Sequence, residues 1–320
     1  MAFYNPDIKE KYFEERFPVT DKTTKVMLEK IQIRRNYVEE CEPWERKYGL
    51  DLGDMNEEQL LDIMNHVGDL SYMRSIDRLQ RLHGYINWYS KRENHYPTTI
   101  DWHDIDLSQT FRETMIGNPG QIITDWEKKY PCEDGWYIIP MYLLLWYGME
   151  MQEIVDLAKE DVEILFDVVK IHRKNVRRGS NVLEIPGREA AMCFQKYASF
   201  TEADGTHKLW IRADTPYFFS RRIHPEDPPE KARLDRVKAY GQLRAGRLSP
   251  KMNKNVLVLY ESNRFSAAGF YWRSIQAEKE KGSDLTDDEI LDLYGSNRNY
   301  PYLLEAMRLS IEKYKQAFNL

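Results

Sequence analysis

Residues 147–186 read YGMEMQEIVDLAKEDVEILFDVVKIHRKNVRRGSNVLEIP. Within them, EMQEIVDLAKEDV has the pattern of an amphipathic helix. Two short extended runs follow, LFDVVKIHRKN and SNVLEIP, joined by VRRGS. Val168, Val169, Ile171, Val182, Leu183 and Ile185 are β-branched or apolar, and Arg178-Gly179-Ser180 suits a tight turn. The stretch therefore predicts a helix followed by a β-hairpin whose tip carries Lys174, Arg177 and Arg178.

Everything outward from it reads as helix. Upstream lie ITDWEKKY and the apolar IIPMYLLLWYGM, reached through the polar, Pro- and Gly-containing connection TTIDWHDIDLSQTFRETMIGNPGQ. Before that connection the pattern predicts one helix over 24–48, a short helix over 56–67 capped by Asn56, and a long helix from Asp69 or Ser71 to Glu93. In the long helix Ile76, Leu79, Leu82 and Ile86 face inward. Arg74, Arg78 and Arg81 share a face at i, i+4 and i+7. Downstream, REAAMCFQKYASF, VLVLYESNRFSAAGFYWRSIQAEKEKG, TDDEILDLYG and PYLLEAMRLSIEKYKQAF are helical, with a charged loop region between the first two. The prediction is a mainly α fold with a small β-hairpin or sheet, in two domains, 1–112 and 113–320.

With 42% hydrophobic, 13% aromatic and 31% charged residues over 320 positions, the chain can bury a core in each domain, which excludes wholesale disorder. The longest apolar run, Trp136 to Met149, contains Pro140 and falls short of the roughly 20 residues of a membrane helix. The opening MAFYNPDIKEKYFEERF alternates charge with aromatics and does not read as a signal peptide. Cys41, Cys132 and Cys193 stand far apart without a CxxC partner, which predicts a reduced, cytoplasmic protein without structural zinc. The net charge of −6 is unevenly placed. From Leu165 to Asn255 there are 19 Lys+Arg against 10 Asp+Glu, and the remainder is strongly acidic. Because screening limits each charge to about 10 Å at 0.1 M salt, that basic segment is either a polyanion surface or a solvated, Arg-rich loop region.

No phosphate-cradling glycine loop, GxSxG elbow or HExxH motif is present, and the seven histidines lack metal-ligand spacing. Paired carboxylates such as Glu153/Asp156 or Asp287/Asp288/Glu289 fall in helical first turns or on solvated faces. They read as capping groups rather than an acid–base pair. No cofactor and no metal site is expected.

The order of elements carries more: a helical first domain, a linker, an apolar helix, the YGMEMQEIVDLAKEDV segment, a basic hairpin, and helices to the end. This resembles the tyrosine recombinase, or phage integrase, family, whose corresponding stretch reads TGLRxSELLxLxxxDI, then a hairpin lysine, HxLR, LGH and a tyrosine near the end. The resemblance covers residues 20 to 318. It implies a helical core-binding domain and a catalytic-like domain clamping double-stranded DNA, with no membrane role; self-association and a regulatory protein partner are left open. Residue by residue, most of the family's catalytic set is absent. Its first arginine falls on Glu150. The hairpin lysine falls on Lys174. The HxLR box falls on Glu261-Ser262-Asn263-Arg264, where only Arg264 persists. The LGH histidine falls on Ser296 and the tyrosine on Glu305, with Tyr302 and Tyr314 displaced by several residues.

Strand transfer needs arginines around a pentavalent phosphate, a nucleophile and a general acid. The resemblance therefore implies a DNA-binding transcriptional repressor of prophage lytic genes on an inactive scaffold, in the bacterial cytoplasm. The alternative is an active but divergent recombinase. DNA contacts are expected from Arg74, Arg78, Arg81, Lys174, Arg177, Arg178 and Arg264, with no catalytic residue.

Overall fold

The computed structural model describes residues 3–67, 72–126, 135–174, 180–199, 215–220, 227–239, 243, 259–260, 262–295 and 301–320. The fold is mainly α with one small antiparallel sheet. The chain gathers into two compact units: residues up to Phe111 with Pro301–Ala317, and Arg112–Tyr300 with Phe318–Leu320. The sequence reading assigns all of 113–320 to the second domain, whereas the last helix clusters with the first unit.

The first unit begins with α1 (Pro6–Arg16), α2 (Lys25–Glu39), α3 (Glu42–Tyr48), α4 (Glu57–Val67) and α5 (Tyr72–Glu93). The single helix expected over 24–48 is two, because Pro43 has no N–H to continue α2 and sits instead in the first turn of α3. Asn56 caps α4 as the pattern requires. Gln59 N–H donates to Asn56 Oδ1 at 2.9 Å, and Asn56 N–H donates to Gln59 Oε1 at 3.0 Å. α5 is the spine of the unit, with Tyr72, Leu79, Leu82, Tyr85, Ile86 and Tyr89 buried.

An ionic knot lies under that spine. The Lys9 ammonium of α1 donates to the Glu45 carboxylate of α3, both side chains 0% exposed, and stands 3.8 Å from Asp51 Oδ2. Tyr85 donates its hydroxyl to Asp51 Oδ1 at 2.8 Å, Asn5 donates to Asp51 Oδ2 at 3.0 Å, and Leu52 N–H donates to Glu45 Oε1 at 2.9 Å. Burial pushes the Glu45 carboxyl up to about 6, against the pull of the Lys9 charge. The thiol of Cys41, also buried, donates to the Tyr37 carbonyl at 3.2 Å and is pushed up to about 12, burial first and the Glu45 charge second.

The second unit is reached through α6 (Ser108–Thr114) and contains α7 (Pro119–Thr124), α8 (Gly135–Trp146), α9 (Met151–Val155), β1 (Val162–Ile164), β2 (Val168–His172), β3 (Val182–Pro186), α10 (Arg188–Ser199), α11 (Ser262–Lys281) and α12 (Asp287–Tyr294). The predicted hairpin is β2–β3, with Val169 opposite Ile185 and Ile171 opposite Leu183. The amphipathic helix expected over 150–162 stops after α9. There the backbone turns to the 215–220 segment: Phe218 N–H donates to the Leu157 carbonyl at 2.7 Å and Lys159 N–H to the Pro216 carbonyl at 2.9 Å. Val162 to Ile164 then pair with Ile171 to Val169 as a third strand. Val169, Ile171 and Ile185 are buried on the sheet face that meets α10.

From Ile138 to Trp146, α8 is apolar and buried all round, Pro140 included, as a helix enclosed by neighbours must be. It packs against α7, α10 and α11. No helix among the described residues is long and apolar enough to cross a membrane.

The last helix, α13 (Pro301–Phe318), buries Leu304, Ala306, Met307, Ile311 and Tyr314. In the first unit Tyr314 meets the Phe111 ring at 6.5 Å, and Lys313 lies 3.8 Å from Asp106.

α11 crosses α8 closely. A Cβ added to Gly269 would stand 2.4 Å from the Trp146 carbonyl oxygen and 3.0 Å from its Cα, both backbone atoms that cannot step aside. Gly269→Ala is therefore expected to destabilise the second unit by about 1–3 kcal/mol, although alanine favours helix by about 1 kcal/mol over glycine. Urea unfolding compared with Ala268→Gly, which introduces no clash, checks this.

Candidate nucleic-acid interface

The α5 arginines do not form a uniform face. Arg74 is exposed. Arg78 is 8% exposed, its guanidinium 2.8 Å from Glu40 Oε2 and 4.5 Å above the centre of the Tyr37 ring. Arg81 makes a two-pronged pair with Asp77, at 2.8 Å on both prongs, and lies 5.8 Å from the same Tyr37 ring. Tyr37 and Glu40 belong to the end of α2, so Arg78 and Arg81 dock α2 onto α5 by cation–π stacking and charge. A spacing of i, i+4, i+7 places residues on one face; it does not say whether another helix covers that face.

At the hairpin, Lys174 reaches back to the turn before β1, 2.7 Å from Asp161 Oδ2 and 3.4 Å from Glu160 Oε1, while its side chain remains 60% exposed. The hydrogen bond to Asp161 raises its pKa. Arg177 and Arg178 lie outside the described residues. Arg173, which no sequence motif singles out, donates to Glu153 Oε1 from Nε at 3.1 Å and Nη2 at 2.8 Å, tying the end of β2 to α9.

The positions carrying the family resemblance are occupied as follows. Glu150 is exposed at the N-cap of α9, and its N–H donates to Glu153 Oε2 at 2.8 Å. Arg264 is half-buried in the first turn of α11, with Phe265, Ala268, Phe270 and Tyr271 buried along the same helix. Glu261 and Ser296 lie outside the described residues, and nothing is described of the Tyr302 side chain. Tyr314 is 0% exposed in the core of the first unit. Glu305, at the position of the family tyrosine, accepts from His103 at 2.8 Å.

A second arginine of α11, Arg273, supplies what sequence spacing could not reveal. Its guanidinium donates to the Trp146 carbonyl at the end of α8, and to the Leu293 carbonyl near the end of α12 at 3.3 Å. Two helix C-termini, each with unpaired carbonyls and a negative dipole end, thus share one cation. Gly148, at φ +92, passes so close that a Cβ there would meet Arg273 Nη2 at 2.9 Å. Desolvation, with the Arg173 charge second, pulls the Arg273 pKa down to about 10, so it stays cationic at neutral pH. Arg273 therefore clasps the Trp146 end of α8, with Gly148 against its guanidinium, to the end of α12. Nothing in its sequence neighbourhood separates it from an ordinary surface arginine.

The described residues contain no group of three or more His, Cys, Asp or Glu side chains placed to hold a metal ion.

No family model and no curated protein matches the chain. Among solved structures, the XerH site-specific recombinase in a post-cleavage complex with palindromic difH substrate aligns over 98% of this chain and 88% of its own, at 11% identity and a TM-score of 0.39. The Tn1549 transposon integrase in complex with transposon right end DNA aligns over 96% and 93%, at 11% identity and a TM-score of 0.37. The XerA recombinase aligns over 98% and 96%, at 10% identity and a TM-score of 0.37.

Two outcomes follow from these placements. Arg78→Ala should destabilise the first unit by about 1–3 kcal/mol, from the lost ion pair and ring contact, whereas Lys91→Ala, at an exposed position of the same helix, should leave the melting temperature unchanged. Thermal unfolding of the two variants side by side decides between a docking and a solvated role for Arg78. The second concerns pH. Both ring nitrogens of His103 face carboxylates, Asp101 Oδ1 at 2.5 Å and Glu305 Oε1 at 2.8 Å, and only the imidazolium can donate to both. The Glu305 bond first, then the Asp101 bond, raises the His103 pKa. A raised folded-state pKa gives stability that is complete below the ordinary histidine value of about 6.5 and is lost as pH rises through the folded value. The melting-temperature difference between the wild type and His103→Gln should therefore shrink as pH increases; a constant difference would show that His103 acts without its charge.

Proposed function

We propose that this chain is a double-stranded DNA-binding transcriptional repressor on a tyrosine-recombinase scaffold from which strand-transfer chemistry has been lost, and that it holds a prophage in lysogeny. In layout and in loss of the catalytic set it resembles the integrase-like master repressor of SPβ-type Bacillus prophages. The observation that carries the reading is Glu150. Where the family motif has an arginine for the scissile phosphate, this chain has an exposed carboxylate, with a second one, Glu153, bonded to its own backbone N–H. Two like charges about 4 Å apart repel by roughly 4 kcal/mol at an effective dielectric of 20, and removing one transition-state donor costs about 10²–10³ in rate. The nucleophile is missing in kind as well: Glu305 occupies its position, and the hydroxyl of Tyr314 sits in a core that no phosphate enters.

DNA binding needs none of this chemistry, because phosphate neutralisation requires only cations in suitable places. The basic 165–255 segment and the exposed Arg74 and Lys174 supply such cations, Arg264 stands at the vestigial centre, and Arg177 and Arg178 extend the hairpin sequence beyond Lys174. Base-specific contacts would set the operator; phosphate contacts would set the register.

The test is a nicked duplex incubated with the full chain. Salt-titrated gel shifts should show binding whose log K falls linearly with log salt, by about 0.9 per phosphate contact, and Arg264→Ala should weaken it. No protein–DNA adduct should survive SDS. A covalent adduct that disappears in Tyr302→Phe or Tyr314→Phe would make the chain an active recombinase instead, and absence of any DNA binding would remove the reading altogether.

A further inference from the structure

Eleven large hydrophobic side chains are exposed among the described residues, and five of them fall within one stretch: Val19 at 66%, Val26 at 58%, Met27 at 52%, Leu28 at 43% and Ile33 at 42%. The cause is geometric. Among the described residues α2 is anchored toward its far end, through Val38, Tyr37 and Glu40 against α5, through Arg35, which bonds Glu10 and lies 4.9 Å from the Phe13 ring, and through Arg34, 5.0 Å from the Phe17 ring. Residues 24–30 are exposed on every side, so the first turns of the helix project from the unit. An amphipathic helix normally hides one apolar stripe, whereas this end shows Val26, Met27 and Leu28 in three different directions. Scattered apolar side chains on a surface need no explanation, but a cluster confined to one protruding helix end marks a contact surface.

The same end is basic. Lys22, Lys25 and Lys30 make no ion pair among the described residues, against two carboxylates, Asp21 and Glu29. A surface of opposite character exists elsewhere on the same unit. The exposed side of α4 forms an open depression lined by Glu57, Glu58, Leu61, Asp62 and Asn65. Asp62 is held by Lys47 at 2.8 Å and Tyr48 at 2.5 Å, but Glu57 and Glu58 make no ion pair among the described residues, and Leu61, one turn further along the helix, is half-buried. An apolar, lysine-bearing helix end and an acidic depression with a leucine in it complement each other in charge and in chemistry.

We propose that the chain associates with a second copy of itself, the projecting end of α2 of one copy seating in the acidic depression on α4 of the other. Two such contacts can be made at once around a two-fold axis, and single contacts can propagate head to tail. In either arrangement Met27 and Leu28 approach Leu61, while Lys25 and Lys30 meet Glu57 and Glu58. The contact needs no DNA and does not depend on the repressor reading.

Sedimentation equilibrium of the full chain without DNA tests it, over about 1 to 100 µM, the range in which a small specific interface dissociates. The wild type should self-associate, more weakly at high salt. Met27→Ser with Leu28→Ser should weaken association at least tenfold at an unchanged melting temperature. The charge reversals Lys25→Glu with Lys30→Glu, and separately Glu57→Lys with Glu58→Lys, should each do the same. Mixing the two reversed proteins should restore association, since each then offers the complement of the other. A wild type that is monomeric throughout overturns the proposal, as does association indifferent to the α2 changes, or a mixture of the reversed chains that fails to pair. DNA binding measured separately on the same variants keeps this outcome apart from that of the proposed function.

Discussion

The second unit depends on how close α11 can come to α8. Because α8 is apolar on every side, it must be enclosed, and the crossing at Gly269 lets the α11 backbone lie directly on the Trp146 carbonyl. That approach brings Arg273 to the end of α8, where its guanidinium takes up carbonyl oxygens from two helices. α9 follows immediately from the segment so held, and the Glu153–Arg173 pair then ties α9 to the sheet. One side-chain-free position therefore fixes a sequence of contacts running from α8 through α9 to the hairpin. Bulk at Gly269 would displace a cation that two helix ends share, and leave the Trp146 and Leu293 carbonyls without that donor.

The excess of positive charge between Leu165 and Asn255 takes a particular form in three dimensions. Several of its described cations find carboxylates nearby: Lys170 with Glu184 at 3.3 Å, Lys174 with Asp161 at 2.7 Å, Lys231 with Asp227 at 2.8 Å and Arg233 with Asp156 at 3.3 Å. Two of these carboxylates, Asp156 and Asp161, come from the acidic remainder of the chain. Exposed pairs of this kind contribute only about 0–1 kcal/mol each, so an array of phosphates can compete for the same cations. The acidic partners lower the net field of this surface.

Local chemistry was well written in the sequence. The Asn56 cap, the long α5, the apolar α8, the β2–β3 hairpin and the presence of the late helices α12 and α13 follow from patterns whose cause lies within a few residues. Departures arise where the deciding contact is distant. α9 is short because the 215–220 backbone captures Leu157 and Lys159, and β1 exists because β2 offers it an edge. The stripe of Arg74, Arg78 and Arg81 looked uniform in sequence and is divided in space by the arrival of Tyr37 and Glu40 from α2. Of the residues that organise the candidate site, Glu150 could be found by motif position. Arg173 and Arg273 could not, because their partners are a carboxylate 20 residues away and the carbonyls of two other helices.

The ionic knot of the first unit has a consequence for the chemistry of Cys41. Only a thiolate reacts readily with disulfides or alkylating reagents, and this thiol is enclosed, bonded to a carbonyl and held near a carboxylate, so in the closed state it is almost wholly unreactive. The rate at which it is labelled is then set by how often the helices around Lys9 and Glu45 part rather than by the nucleophilicity of sulfur. The unit thus carries its own clock for local opening, buried where an oxidant meets it only after the knot has come undone.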